Sequence, residues 1–206
     1  SYTQIGVSTN GFIWFGNTAP AANEYNPISG STAYDGVISA FGADLIGQTG
    51  SAELRIQTQG TTPNQTCTIM WKQFQNKSAA NSGANRFDGW ITLYECSNVI
   101  KTTLSANQYY WGSGVKTTGQ VGLRGSSNSD FFNRNVTCSG SSWTTSTSGG
   151  NNAATCQMGG GLFGGCWPGT VGGTPCTYTY TPVSNPPCGS TTTITRDSLQ
   201  DQIDVE

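Results

Sequence analysis

Residues 66–74, TCTIMWKQF, and residues 87–95, FDGWITLYE, decide the fold class, because both runs alternate in the way that a half-buried strand requires. In the first run, Cys67, Ile69 and Trp71 share one face. In the second run, one face carries Gly89, Ile91 and Leu93 and the other carries Trp90, Thr92 and Tyr94. A polar connection, QNKSAANSGANR, joins them. The pattern predicts an antiparallel hairpin with one face turned toward a core.

The rest of the chain also consists of short strand-like runs separated by turn residues, and helix signals are almost absent. The 28 glycines and eight prolines separate short runs of β-branched and aromatic residues, which is typical of all-β domains. The predicted strands are Thr3–Ser8, Phe12–Phe15, Gly36–Leu45, Ala52–Gln57, Gln65–Phe74, Phe87–Glu95, Val99–Leu104, Gly119–Arg124, Asn133–Cys138 and Cys176–Thr181. Their spacing predicts an antiparallel β-sandwich, jelly-roll-like, with a long disulfide-stapled loop region after Cys138.

The predicted domain organisation is one module over residues 1–183, followed by a linker or the start of another element over residues 184–206. Alternation is already under way at residue 2, so we expect a mature or truncated start, with export signals outside this sequence.

The composition of the chain excludes several classes of function. Charged residues make up 10% of the chain and the net charge is −2, so no basic footprint for nucleic acid is present. The chain has no histidine, which excludes His-dependent general-base catalysis and His-ligated metal sites from it. No apolar run reaches the length of a membrane span. A polar surface with few charges favours an exported, extracellular protein.

The cysteines point to the same compartment. There are seven, at Cys67, Cys96, Cys138, Cys156, Cys166, Cys176 and Cys188. None forms a C-x-x-C pair, so disulfides in an oxidising compartment are favoured over zinc or iron–sulfur binding. In the predicted hairpin, Cys67 and Cys96 lie near opposite ends and could bridge, unless the turn at Cys96 rotates it away. The odd number leaves one thiol free or paired outside this chain.

A cluster of charge stands out at residues 121–134, VGLRGSSNSDFFNR. The planar guanidinium of Arg124 or Arg134 could clamp Asp130 and nearby carbonyls, and one of the two phenylalanines would enter the core. The alternative is a polar ligand site formed by Arg124, Asp130 and Asn133.

Aromatic residues suggest a second binding site. Tyr109, Tyr110 and Trp111 stand between polar residues, and flat rings beside amides suit the apolar face of a sugar. The alternative is that these rings cover one end of the sandwich. Trp143 and Trp167, both in predicted loops, are weaker candidates of the same kind.

The acidic residues do not favour catalysis. Asp35 and Asp44 flank one predicted strand and would lie about 30 Å apart, beyond the reach of a glycosidase carboxylate pair. Asp44 could still meet Glu53 or Asp88 across a sheet. Carboxylates and asparagines could bind Ca²⁺, although no D-x-D-x-D-G loop is present. We therefore predict no enzyme activity and no cofactor, with calcium as a possible ligand.

Six strings in order carry a family resemblance: VSTNGFIWFG (7–16), YDGVISAFGADL (34–45), PNQTCTIMWKQF (63–74), WITLYECSNVIK (90–101), QVGLRGSSNSDFFNR (120–134), and SWTTSTSGGNNAATC (142–156) leading to YTYTP (178–182). Together they resemble a β-sandwich module of large secreted and cell-surface proteins of Bacteroidota, often exported by the type IX system. The resemblance implies an adhesive or carbohydrate-associated part of a larger protein without catalytic activity. It also implies that the first strands of the module lie upstream of residue 1. Asp197-Ser-Leu199 resembles a Bacteroidota O-glycosylation site, which makes Ser198 a candidate for modification.

The sequence therefore predicts a non-catalytic module on the bacterial cell surface, with an adhesion, filament or assembly role through contact with other protein chains or domains. A carbohydrate-binding module is the alternative, with glycans as partners, and a glycoside hydrolase is a third hypothesis. A strand edge left open for a partner would favour the first hypothesis.

Overall fold

The structure is a computed structural model that describes residues 4–79, 86–108, 117–137, 143–159, 174–184 and 202–205. The strands in these ranges are β1 (Gly6–Ser8), β2 (Phe12–Phe15), β3 (Gly36–Gly42), β4 (Leu45–Gly47), β5 (Glu53–Gln59), β6 (Thr66–Asn76), β7 (Arg86–Tyr94), β8 (Ile100–Gln108), β9 (Thr117–Arg124), β10 (Phe131–Asn135), β11 (Thr147–Ser148), β12 (Cys156–Met158), β13 (Cys176–Thr181) and β14 (Gln202–Val205). Short 3-10 helices at Lys77–Ala79 and Trp143–Thr145 are the helical elements of these ranges.

The strands form two antiparallel sheets. The first sheet has the order β1-β2-β3-β9-β10-β11, with β12 also paired to β9. The second has the order β14-β13-β8-β7-β6, and both β4 and β5 pair with the other edge of β6. The predicted hairpin is present as β6 and β7, with Ile69 opposite Ile91 and Cys67 opposite Leu93. The prediction of an all-β, antiparallel fold is confirmed.

One hydrophobic core lies between the two sheets. Ile69, Trp71 and Ile91 of the second sheet are completely buried, as their shared faces predict. The ring of Phe41 in β3 lies 5.3 Å from that of Phe87 in β7, edge to face. This arrangement, with two sheets packed around a shared core, is the one that a β-sandwich requires.

The predicted strand Gly36–Leu45 is wrong as a single element. The chain leaves the first sheet after Gly42 and enters the second at Leu45, so the segment forms β3 and β4. Every residue of β3 is buried. A strand buried on both faces has no alternation that could mark where it changes sheets.

The loop region after Cys138 contains more regular structure than its composition suggests. The indole of Trp143 is completely buried and donates a hydrogen bond to the carbonyl of Gln157 at 2.9 Å. The hydroxyl of Tyr178 donates to the carbonyl of Trp143 at 3.0 Å. Strand β12 adds Cys156–Met158 to β9. In residues 143–159, hydrogen bonds and core packing therefore hold the segment that we expected disulfides to hold.

Strand β14, Gln202–Val205, lies in the segment that we predicted to be a linker or a following element. It pairs antiparallel with β13, with Ile203 opposite Tyr180.

Candidate functional site

The outer edge of the second sheet is formed by β5, whose seven residues read ELRIQTQ. In the pairing with β6, Leu54 lies opposite Trp71 and Ile56 lies opposite Ile69. Residues directly opposite each other point to the same side of a sheet, so Leu54 and Ile56 face the side of the core. They are nevertheless 41% and 57% exposed. Strand β5 thus presents apolar side chains to solvent on the face where its neighbour is buried.

The reason is that the two sheets do not overlap completely at this edge. The Trp71 indole in β6 donates to the carbonyl of Ser8, at the end of the edge strand β1, at 2.8 Å. The edge of the first sheet therefore lies over β6. Because β5 is one strand further out, it extends beyond the cover that the first sheet provides.

The backbone of β5 is also open on one side. The described chain pairs it with β6 alone, in continuous register from Glu53 to Gln59. Edge strands are commonly protected by proline, a β-bulge or inward-pointing charge. Strand β5 has no proline and no bulge, and its charges are confined to Glu53 and Arg55. Among the described residues, no second strand pairs with its outer row of N–H and C=O groups.

The charges at this edge form one small network, in which a single carboxylate pairs with two cations. The Glu53 carboxylate pairs with the Arg55 guanidinium and accepts a hydrogen bond from Lys72 Nζ at 2.8 Å. The hydrogen bond from Lys72 is the main reason why the pKa of Glu53 lies below its ordinary value. The second half of the strand, from Ile56 onward, carries no charge.

Arg124 has a structural position at the end of β9. It is 4% exposed and donates to the carbonyls of Pro27, Gly30 and Thr32 at 2.8–3.0 Å. Its guanidinium also lies 5.3 Å from the centre of the Tyr34 ring. The predicted clamp on loop carbonyls is present, but it holds the distant loop 27–32 instead of the neighbouring turn.

Asp130 and Asn133 lie near Arg124 without forming one cluster with it. Asp130 closes the β9–β10 turn, where its carbonyl accepts from the Gly125 N–H at 2.9 Å. The buried Asn133 amide donates to the carbonyls of Asn151 and Asn152. The predicted Arg134–Asp130 clamp is wrong, because Arg134 donates to Ser146. A ligand-binding role for Arg124, Asp130 and Asn133 stays a prediction.

The predicted aromatic site at Tyr109, Tyr110 and Trp111 lies outside the described residues, and so do Trp167 and the glycosylation candidate Ser198. Trp143, a weaker candidate for sugar stacking, is completely buried, so its ring is not presented to a ligand.

The cysteine predictions have mixed outcomes. Cys67, Cys156 and Cys176 are free thiols, whereas Cys96 is disulfide-bonded. The predicted bridge between Cys67 and Cys96 is therefore wrong. Cys96 lies in the turn after β7, where its φ is 69°. The other disulfide candidates, Cys138, Cys166 and Cys188, lie outside the described residues.

The acidic residues contact separate partners. Asp88 accepts from the N–H of Gln73 at 2.7 Å, Glu53 pairs with Lys72 and Arg55, and Asp44 lies 4.0 Å from Lys77 Nζ. No group of three or more Cys, Asp or Glu side chains converges in the ranges that the structure covers. Calcium binding stays a prediction.

The sequence predicts the strand at the β5 edge but not the exposure of its apolar face. Alternation in residues 52–57 predicts a strand with Leu54 and Ile56 on one face, and the strand is present. Whether that face is covered depends on how far the opposite sheet extends, and no local pattern records this.

The comparisons with known proteins give one result that bears on function. No curated protein and no solved structure matches the chain. No helix within the described ranges is long and apolar enough to cross a membrane. A family model described as NIDO related matches residues 1–197. The chain therefore belongs to the NIDO-related family, a family of domains of extracellular and cell-surface proteins.

Proposed function

We propose that this chain is a non-catalytic extracellular contact module, a β-sandwich that joins other protein chains by strand addition at the β5 edge. The observation that carries the proposal is the exposure of Leu54 and Ile56 on a seven-residue edge strand without proline or bulge. Main-chain hydrogen bonds to such an edge supply affinity, and alternate side chains supply specificity.

The sequence of β5 suits pairing with a second copy of itself. If two copies pair antiparallel about Leu54, Glu53 of each copy lies opposite Arg55 of the other, and the two Leu54 side chains meet. Opposite charges and apolar pairs at facing positions both favour a sheet. This pairing would join two second sheets into one continuous sheet, which is a simple route to assembly. The bacterial cell surface and export by the type IX system remain part of this proposal.

Sedimentation analysis over a wide range of protein concentration tests the proposal. We expect the weight-average mass of the wild type to rise with concentration. Ile56→Lys should keep the protein monomeric, because it places a charge on the exposed edge. Val183→Lys is the matched control, since Val183 is 72% exposed and lies outside β5. A wild type that stays monomeric into the millimolar range, or association that survives Ile56→Lys, would contradict the proposal.

A further inference from the structure

The outer face of the second sheet, which points away from the core, carries a row of side chains across five strands. On neighbouring strands from β5 to β8, Arg55 is opposite Met70, Met70 is opposite Trp90, and Trp90 is opposite Thr103. Thr103 is in turn opposite Thr177. Trp90 thus lies near the middle of a broad, open face.

The surroundings of Trp90 are polar, and charged side chains border them: Asp88 lies two residues before Trp90 on the same face of β7, and Lys101 is opposite Thr92. The adjacent row contains Gln57, Thr68 and Thr92 on consecutive strands. The hydroxyls of Thr68 and Thr92 lie 3.3 Å apart and share a hydrogen bond. The hydroxyls of Thr103 and Thr177 do the same at 3.0 Å. Each hydroxyl has further capacity to donate or accept toward a ligand on this face.

A depression of about 450 Å³ lies beside the tryptophan and opens to solvent. Its lining residues are Arg55, Ile56, Gln57, Thr68, Met70 and Trp90. The volume falls within the range of about 300–1,000 Å³ that small-ligand sites occupy. On this outer face the lining combines the Trp90 ring and the Met70 side chain with an amide, a hydroxyl and a guanidinium, whereas the side chain of Ile56 faces the other side of the sheet.

This combination identifies the ligand class. A pyranose ring has an apolar C–H face that stacks on an indole and a rim of hydroxyls that needs donors and acceptors. No carboxylate lines the depression, and its one charged lining residue, Arg55, shares the Glu53 carboxylate with Lys72. Stacking on Trp90 and hydrogen bonding to the polar lining require no charge on the ligand, so a neutral sugar satisfies both.

We propose that the outer face of the second sheet binds a neutral hexopyranose oligosaccharide, with one sugar ring stacked on Trp90 and hydroxyls bound by Gln57, Thr68 and Arg55. The chain of an oligosaccharide would run from Trp90 in β7 past Thr103 in β8 and Thr177 in β13. This site differs from the aromatic run at residues 109–111. It does not depend on strand addition at the β5 edge.

Titration of the whole chain with soluble hexasaccharides, followed by NMR, tests the proposal. The probes are the β-1,4-linked hexamers of glucose, galactose, mannose and N-acetylglucosamine. We expect saturable binding of at least one probe, with a shift of the Trp90 indole N–H signal. Trp90→Ala should weaken binding by about tenfold or more, as loss of a central aromatic contact does. Trp90→Phe should retain most of the affinity.

Tyr94→Ala is the matched control, because Tyr94 lies on the same face of the same strand but does not line the depression. It should bind like the wild type. If Trp90→Ala fails to fold, Gln57→Ala replaces it, because Gln57 is exposed and lines the same depression. Absence of saturable binding to all four probes would overturn the proposal. Unchanged affinity in the folded Trp90 or Gln57 variant, or shifts confined to residues 109–111, would also overturn it.

Discussion

At the scale of single residues, Arg124 is the side chain with the most specific set of contacts. Its three hydrogen bonds to the carbonyls of loop 27–32 use the planar fork of the guanidinium, which a lysine ammonium cannot reproduce. We expect Arg124→Lys to lower the free energy of unfolding by about 2 kcal/mol, the range for buried hydrogen bonds to a charged group. Urea denaturation measures this change.

The matched control is Arg55→Lys, because the Arg55 side chain is 66% exposed and its ion pair with Glu53 lies at the surface. Surface pairs of this kind contribute little, so the control should be close to neutral. Equal effects of the two substitutions would show that Arg124 does not anchor the loop.

The sequence indicated that Arg124 holds a loop but not which loop. Its carbonyl partners are 92 to 97 residues away along the chain. The clustering of Arg124, Asp130 and Arg134 favoured a local clamp, whereas the fold brings a distant segment closer. Contacts at such separation depend on the order of strands in the first sheet, which local patterns do not specify.

At the scale of elements, Gly122 permits the central pairing of the first sheet. It lies in β9 between Ser39 of β3 and Asn133 of β10, with a φ of 140°. A Cβ at this position would lie 2.3 Å from the carbonyl oxygen of Phe132. Gly122→Ala should therefore destabilise the fold by about 3 kcal/mol, since it combines a strained backbone with a clash against main chain. Chemical denaturation gives the value.

Gly50 offers the comparison that separates these two causes. Its φ is 77°, but no atom lies within 4 Å of a Cβ added there. Gly50→Ala should cost only the conformational penalty of about 1–2 kcal/mol. If Gly122→Ala lowered the free energy of unfolding no more than Gly50→Ala does, close approach of the strands would not be the reason for a glycine at position 122.

The elements themselves were largely predictable where one face is buried and the other is not. Alternation in β6 and β7 correctly placed Ile69, Trp71 and Ile91 in the core. The same alternation put Trp90 on the opposite face, but its role depends on neighbours from β5 and β6. Short elements such as β11 and β12 have too few residues to show a period, so the sequence did not reveal them.

At the scale of the whole molecule, the buried phenols and thiols should make the folded protein less stable as the pH becomes alkaline. Burial raises the pKa of Tyr34, Tyr178, Tyr180, Cys156 and Cys176 above their ordinary values of 10.0 for tyrosine and 9.0 for cysteine. The folded state therefore keeps protons that the unfolded state loses. Stability should be fully present below about pH 9 and fall as the pH rises above it. Thermal unfolding followed across this range measures the slope.

Tyr180→Phe removes one of these phenols from a completely buried site, so the slope above pH 10 should become shallower. Absorbance of the phenolate reports the same linkage. If all tyrosines ionised near pH 10 while the near-UV signal of the folded protein persisted, burial would not control their titration.

The central claim is that β5 carries an open edge which pairs with another chain, and amide hydrogen exchange over Glu53–Gln59 tests it most directly. Half of the amides of an edge strand point away from its neighbour and exchange quickly unless a further strand covers them. We predict that exchange in this segment slows as protein concentration rises, while exchange in β11 at the edge of the first sheet does not change. Exchange in Glu53–Gln59 that is independent of concentration, in a protein that remains folded, would contradict the account.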